Sequence, residues 1–413
     1  MNSHPDIVIV GAGAAGLAAA VRLSTEPVSV VVVEARSRTG GRAHTAIVGG
    51  YPQDLGCGWL HSADINPFST IAERIGVAID KTPPHWTRQA WNQNFTAEDQ
   101  TAYRRELDAL DERVAAAAKA GSDIAVSTLM TPHSPWNPLL DTFSGAYNGA
   151  EFNEISTLDY DAYQDTGINW RLPLGYGALV AAYGADAPVS LETAVTRIDH
   201  GGRTVRVYTT KGELSARAVI VTVPTDLIAS GAIAFTPDLP TVREAADALP
   251  LGLANKVVLG VDEPLAFPAE HHLFGDPSRA ETGGYHLLPF GRPLIEAFFG
   301  GTHARQMEAD GAGAATAFAI EELAALLGSG MRKQLHGLAE TRWAADAWSA
   351  GAYSHARPGG RWARGVLATP IDGRLVFAGE ACSSNAFSTA HGAAQNGARA
   401  AELILATLAS GGA

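Results

Sequence analysis

Three glycines and one carboxylate carry the strongest chemical signal in this chain. Gly11, Gly13 and Gly16 stand in the spacing G-x-G-x-x-G, as Gly11-Ala12-Gly13-Ala14-Ala15-Gly16. Before them, Asp6–Val10 (DIVIV) is a continuous apolar run of the kind that forms a strand buried on both faces. After them, Leu17–Ser24 reads as a helix and Val28–Val33 (VSVVVV) as a second buried strand, ending at Glu34. In such a βαβ unit the first glycine permits a tight turn and the second lets a diphosphate approach the backbone. The third lets helix and strand pack closely. The helix N-terminus presents free N–H groups to the phosphates, and Glu34 would accept hydrogen bonds from ribose hydroxyls. A second candidate is Lys256, set inside the apolar strand pattern ANKVVLGV, where a buried ammonium needs a partner. His61, after Trp59 and Leu60, could act as a base or a hydrogen-bond partner. His391 is better explained by packing or capping. Neither a Ser/His/Asp arrangement nor a metal-ligand spacing is evident, and the two cysteines, Cys57 and Cys382, read as free buried thiols.

These residues need a scaffold. The chain has 413 residues, enough for two domains with a large core. Its formal net charge of -13 disfavours nucleic acid and anionic membranes as partners, but tolerates a cationic substrate. No signal peptide or spanning helix is expected, and cytoplasm is the default location. A homo-oligomer is compatible with this composition. Further buried strands are expected at Arg217–Val223, Ala254–Val261, Leu294–Phe299 and Leu375–Ala378. Strand patterns at Leu191–Val207 and Glu213–Val223 suggest a hairpin between them, and Ala97–Ala120, Thr316–Leu327 and Ala390–Leu408 have helical patterns. The two ends look like parts of one doubly wound sheet, with inserted material between. The predicted class is α/β, α+β overall: a Rossmann-type cofactor domain with an interleaved substrate domain that holds a mixed sheet and helices. Residues 1–80, 190–250 and 345–413 are assigned to the first, and 81–189 and 251–344 to the second.

Several motifs narrow the cofactor. Glu34-Ala35-Arg36 continues into Gly40-Gly41-Arg42 as EARSRTGGR. Asp54–Leu60 reads DLGCGWL, Val376–Glu380 reads VFAGE, and Ser388–Ala393 reads STAHGA. With these blocks the chain resembles the flavin-containing amine oxidase family, which includes monoamine and polyamine oxidases. The resemblance spans nearly the whole chain and is weakest at 86–168 and 270–310. It implies FAD, with Ala15, Ala35, Arg36, Gly41 and Arg42 around the diphosphate and ribose, and Gly58, Trp59 and Leu60 along the flavin. Val195 matches the position whose backbone holds the adenine, and Gly379 and Glu380 the second FAD motif. Thr389 and Ala390 open a helix pointed at the flavin ring, where its N-terminus would stabilise negative charge. Trp343 matches the residue packed beside the ring.

The same resemblance implies the chemistry. Lys256 matches a lysine that holds a water against flavin N5, and Tyr353 matches one wall of an aromatic pair that orients a neutral amine. Hydride transfer from the carbon next to nitrogen would give an imine that hydrolyses, and O2 or another acceptor would reoxidise the flavin. Ala352 stands where monoamine oxidases carry the cysteine bonded to flavin, so FAD is expected to be non-covalent. Two positions depart from the pattern. Thr389 replaces the second aromatic wall, and His61 stands where some polyamine oxidases have an acid. Of Glu151, Glu154, Asp159, Asp161 and Asp165, a solvated acidic loop is the expectation rather than an entrance for a cation. Two alternatives to amine oxidation stay open: a C–C desaturase or oxidase on the same fold, and a non-catalytic FAD-binding protein.

Overall fold

A computed structural model describes residues 4–87, 89, 95–262 and 268–410. Its organising element is a five-stranded, wholly parallel sheet. The strand order is Leu375–Phe377, Ala218–Val221, Ile7–Val10, Val30–Val33 and Val189–Ser190. Strands from both ends of the sequence therefore lie side by side. All but the last, Val189–Ser190, are apolar at every position because both faces are covered. Ile7, Ile9, Val32, Ala218, Ile220 and Val376 pack under helices Ala14–Leu23, Tyr176–Tyr183 and Ala390–Ser410. The alternate residues, among them Val8, Val10, Val219, Val221 and Phe377, face the other way.

That second face carries a four-stranded sheet, together with helices Pro240–Asp247 and Ala363–Leu367, rather than the full helical layer of a doubly wound fold. The pattern expected to be one strand over 191–207 is two, Val195–Asp199 and Val205–Thr209, joined as a hairpin. A further turn adds Gly212–Ala216, and Ala234–Thr236 pairs in parallel on the opposite edge. The chain there turns over short polar links, and short links dictate antiparallel neighbours.

A third sheet orders His271–Phe274, Gly284–Leu287, Leu294–Gly300, Ala254–Val261 and Leu335–Glu340. A mixed sheet was expected in this part of the chain, but every pair is antiparallel. The mixed pairing belongs instead to the four-stranded sheet. The period-two alternation of strand side chains splits the third sheet cleanly. Leu273, Tyr285, Leu287, Ile295, Ala297, Phe299, Val257 and Leu259 build a core against helices Gly301–Asp310 and Ala314–Leu327. The other face looks into the molecule's main cavity.

Candidate active site

The glycine-rich turn is built as its spacing predicts. Gly11 adopts φ +102°, a region open chiefly to glycine. A Cβ on Gly16 would lie 1.9 Å from the Gly11 carbonyl oxygen, so only hydrogen lets the helix approach the turn this closely. The helix it opens, Ala14–Leu23, has no side-chain cap and no acid in its first turn. Its N-terminal partial positive charge is thus left uncompensated by the chain.

Glu34 closes the turn from the second strand. Its Oε2 accepts from Ala12 N at 2.7 Å and its Oε1 from Arg36 N at 2.9 Å. Arg36 donates through Nη2 to Asp346 and Ser349, while its Nε is buried with no partner among the described residues. Arg42 donates to Ala352 O at 2.7 Å and pairs with Glu380 at 3.0 Å. Glu380 also accepts from Ser354 Oγ and from Ser388 N. Burial pushes the Glu380 carboxyl up, but Arg42, Ser354, Arg364 and the Ser388 N–H outweigh it and hold it below the usual range.

A cavity of about 990 Å³ starts at this turn and runs on into the third sheet. Gly11, Gly13, Ala15, Glu34, Ala35, Arg36 and Val195 line one end. Gly41, Arg42, Gly58, Trp59, Trp343, Gly379, Glu380, Thr389 and Ala390 line its middle. Lys256, Tyr353 and His61 line it as well. Of the residues expected at the site, Gly16 and Leu60 stand off the wall. Gly16 acts through helix packing, and Leu60 lies in the core with its backbone paired to Trp170. The volume is at the upper end for a small-molecule site, as a dinucleotide plus a substrate requires. The orphaned Arg36 Nε, the uncapped helix and the glycine-lined wall fit a bound FAD: Glu34 and Arg36 at its ribose, the turn at its diphosphate, Trp343 at its ring.

Lys256 is buried on the Ala254–Val261 strand. Its Nζ donates to Asp54 O at 2.8 Å and pairs with Glu296 at 3.3 Å. An ammonium has three N–H bonds, so one remains for the contents of the cavity. Trp343 is fixed at both ends: Asn255 accepts from its backbone N–H, and Leu55 O accepts from Nε1 at 3.2 Å. The Tyr353 hydroxyl donates to Ala146 O. The His61 ring approaches Asn169 Oδ1 at 2.6 Å, and burial lowers its proton affinity. Thr389 accepts from Gly392 N at 3.0 Å, which makes it the N-cap of the last helix. His391 lies off the cavity wall, near Asn66.

The acidic segment divides by role. Glu151 binds Thr302 N and Oγ1, and Asp159 forms a buried double contact with Arg364 at 2.6 and 2.7 Å. Asp161 and Glu154 are exposed. Asp165 alone of the five lines the cavity. Tyr147, Tyr163 and Phe387 line the cavity, with Tyr163 5.4 Å from Phe387 and 5.5 Å from Tyr147 between ring centroids.

Sequence reasoning missed the cavity face of the third sheet. It presents His272, Phe274, Gly284, His286, Glu296 and Phe298 beside Lys256. The signal was present as alternation in HHLF, GYHL and LIEAFFG, but the strand order that brings these rows together is not written in any one of them.

A parallel sheet with a glycine-rich turn, a second strand ending in a carboxylate and a cavity continuing over an antiparallel sheet define an FAD-binding oxidoreductase fold. The fold matches that of a putrescine oxidase solved with putrescine bound, at a TM-score of 0.78 and 21% identity, over 98% of this chain and 99% of the other. The model of the flavin containing amine oxidoreductase family matches residues 14–405, and the chain belongs to that family. It is an FAD-dependent amine oxidoreductase. The chain is 27% identical to polyamine oxidase 2 of Arabidopsis thaliana, over 96% of this chain and 87% of the relative. It is 29% identical to lysine-specific histone demethylase 1 homolog 1 of Oryza sativa subsp. japonica, over 97% of this chain but only 52% of that protein. Among the described residues, no helix is long and apolar enough to cross a membrane.

Proposed function

We propose that the chain oxidises a small cationic amine at the carbon next to its nitrogen, using non-covalent FAD. The observation that carries this reading is the unbroken cavity from Glu34 and the glycine turn to Lys256, Trp343 and Tyr353. Bound FAD supplies a hydride acceptor at N5 and later passes its electrons to O2 or another acceptor. The protein's part is to place and dry the reacting C–H bond. Trp343 is held rigid at both ends to pack on the flavin ring. Lys256 holds a water or polar group against that ring with its free N–H. Tyr353, with Tyr147, Tyr163 and Phe387, offers aromatic faces that attract a cation. His61 and Thr389 shape the wall, and the Thr389 hydroxyl is engaged in capping. Asp165 adds negative charge at the aromatic end.

Non-covalent attachment is supported by Ala352 on the cavity wall and by the state of Cys57. Burial, then the Asp54 carboxylate, pushes the Cys57 thiol up to about 12, so it is no nucleophile. Cytoplasmic residence is supported by two free thiols, Cys57 and Cys382. We assign residues 1–80, 190–250 and 345–413 to FAD and the remainder to substrate, save that Tyr176–Tyr183 and Val189 pack with the parallel sheet. The polyamine and putrescine oxidase relatives suggest which amines to try first.

The test is anaerobic titration of the yellow protein with primary, secondary and polyamines. Bleaching of the flavin is expected with at least one, and no bleaching with any would sink the reading. Admitting air then separates rapid O2 use, with peroxide formed, from dependence on another acceptor. Acid precipitation should leave FAD in solution.

A further inference from the structure

The cavity face of the third sheet carries a row of titratable groups that the amine reading leaves without a task. His272 lies directly opposite His286, and His286 directly opposite Glu296, across three adjacent strands. Side chains so opposed are nearest neighbours on one face. Glu296 in turn pairs with Lys256. His85, from the turn His85–Thr87, lies flat on His286 with ring centroids 3.9 Å apart and planes 7° apart. Its Nδ1 is 3.0 Å from His272 Nδ1. His85, His272, His286, Glu296 and Lys256 all line the cavity. The cluster is not a metal site: among the described residues no group of three His, Cys, Asp or Glu is arranged to hold an ion.

Behind His286 stands Glu270. Its Oε2 lies 2.8 Å from His286 Nε2 and accepts from Arg171 Nη2 at 2.7 Å. Burial pushes the Glu270 carboxyl up, but His286 and Arg171 bring it down to about 2, so it is ionised and can only accept. The 2.8 Å contact therefore assigns the ring proton of His286 to Nε2. The 3.5 Å approach of Arg171 Nη1 to the same nitrogen is too long to compete. Nδ1 is left as a lone-pair site with no partner among the described residues.

An amine reaches the cavity as an ammonium, and its nitrogen must be neutral before the neighbouring C–H bond can lose a hydride. We propose that His286, backed by Glu270, takes that proton. This rests on the amine reading. One N–H bond of the ammonium breaks, one forms at His286 Nδ1, and the electron pair stays on the substrate nitrogen. No oxidant is involved in this step. The positive charge then sits between Glu270 behind the ring and Glu296 opposite it. His272 and His85, neutral and in contact, complete its surroundings, with Arg171, 3.5 Å from Nε2, opposing the charge. Burial, with Arg171, holds the free ring's proton affinity below its ordinary value, and Glu270 and Glu296 work against this. Glu270 is a positioning residue: it fixes the tautomer and favours the imidazolium.

The test uses holoenzyme with isotope-labelled histidine and an amine that has no hydrogen on its α-carbon, so that it binds without reacting. Perturbation of the flavin absorbance reports binding independently of the histidines. One imidazole resonance, absent from His286→Gln, is expected to move to the imidazolium position as the amine saturates. Binding with that resonance unmoved would overturn the proposal while leaving the amine reading intact. If no amine perturbs or bleaches the flavin, the amine reading fails first and this proposal with it. Should His286→Gln not fold, Glu270→Gln is the second arm. It keeps an acceptor for Nε2 but removes the charge. The acid limb of the flavin-reduction rate should then move to lower pH by about one to three units. An unmoved limb would count against the proposal.

Discussion

The two ends of the cavity are built on opposite principles. At the nucleotide end, most lining residues sit next to one another in sequence: Gly11, Gly13, Ala15, Glu34, Ala35 and Arg36 come from one βαβ unit and the start of the loop after it, and only Val195 of those named joins them from elsewhere. Backbone does much of the work there, through a tight turn and an uncapped helix. At the substrate end, lining residues His61, Tyr147, Lys256, His286, Glu296 and Tyr353 are scattered over six elements or loops. Side chains do the work: His61 meets Asn169, His286 meets Glu270, Tyr353 meets the Ala146 carbonyl, and Lys256 and Glu296 hold each other. A local motif tolerates little change, whereas a dispersed set can be altered one residue at a time.

Gly16→Val should break the nucleotide end most severely. Its first added carbon falls 1.9 Å from the Gly11 carbonyl oxygen, a clash worth about 4–5 kcal/mol or more. The purified chain should be colourless or insoluble; a yellow protein with full flavin per chain would show that helix and turn can part without loss. Next comes the buried pair of Arg364 and Asp159, which backs the wall where the guanidinium lies 3.8 Å from the ring centroid of Phe387. Arg364→Ala strands a buried carboxylate and should cost about 3–5 kcal/mol in urea unfolding. The same pair sets an acid limit. Burial raises the Asp159 carboxyl, but Arg364 and the Ala356 N–H more than offset this, leaving it below its ordinary value. Its contribution to stability is therefore present above the unfolded-state pKa near 3.8 and fades as pH falls through the lower folded value. Asp159→Asn with Arg364→Leu should abolish that part of the acid dependence.

At the substrate end, Lys256→Met should leave flavin bound and slow flavin reduction or reoxidation by about 100-fold. Unchanged stopped-flow rates would remove Lys256 from the chemistry. Thr389→Ala should have the smallest effect. Loss of the cap costs about 1 kcal/mol, seen as a lower Tm, with the amine-dependent bleaching retained. A large loss of bleaching instead would mean that Thr389 touches substrate.

The same contrast explains what was legible in the sequence. GAGAAG after DIVIV states its own geometry, because turn, helix start and strand all fall within a few residues. Lys256 was legible as a charge inside an apolar strand, and Tyr353 through its block. Glu296 was not. Its meaning depends on Leu294–Gly300 lying beside Ala254–Val261, a pairing that closes over many residues. Thr389 is a missing aromatic wall by its type; the structure adds that it caps a helix, and that Tyr147, Tyr163 and Phe387 line the same cavity. The mixed sheet was misplaced because apolar runs reveal strands but not the direction of their neighbours.

The third sheet has a parity. Its cavity residues are Ala254, Lys256, His272, Phe274, Gly284, His286, Glu296, Phe298 and Gly300, all even-numbered. Its core residues against the helices, Val257, Leu259, Leu273, Tyr285, Leu287, Ile295, Ala297 and Phe299, are all odd, while the even Val258 and Leu294 lie beyond the cavity and pack against Val48. Where these strands cross the cavity, stability and selectivity are thus written in separate, interleaved alphabets. A lineage, or a designer, can respell the even letters for a new amine while the odd ones keep the sheet standing.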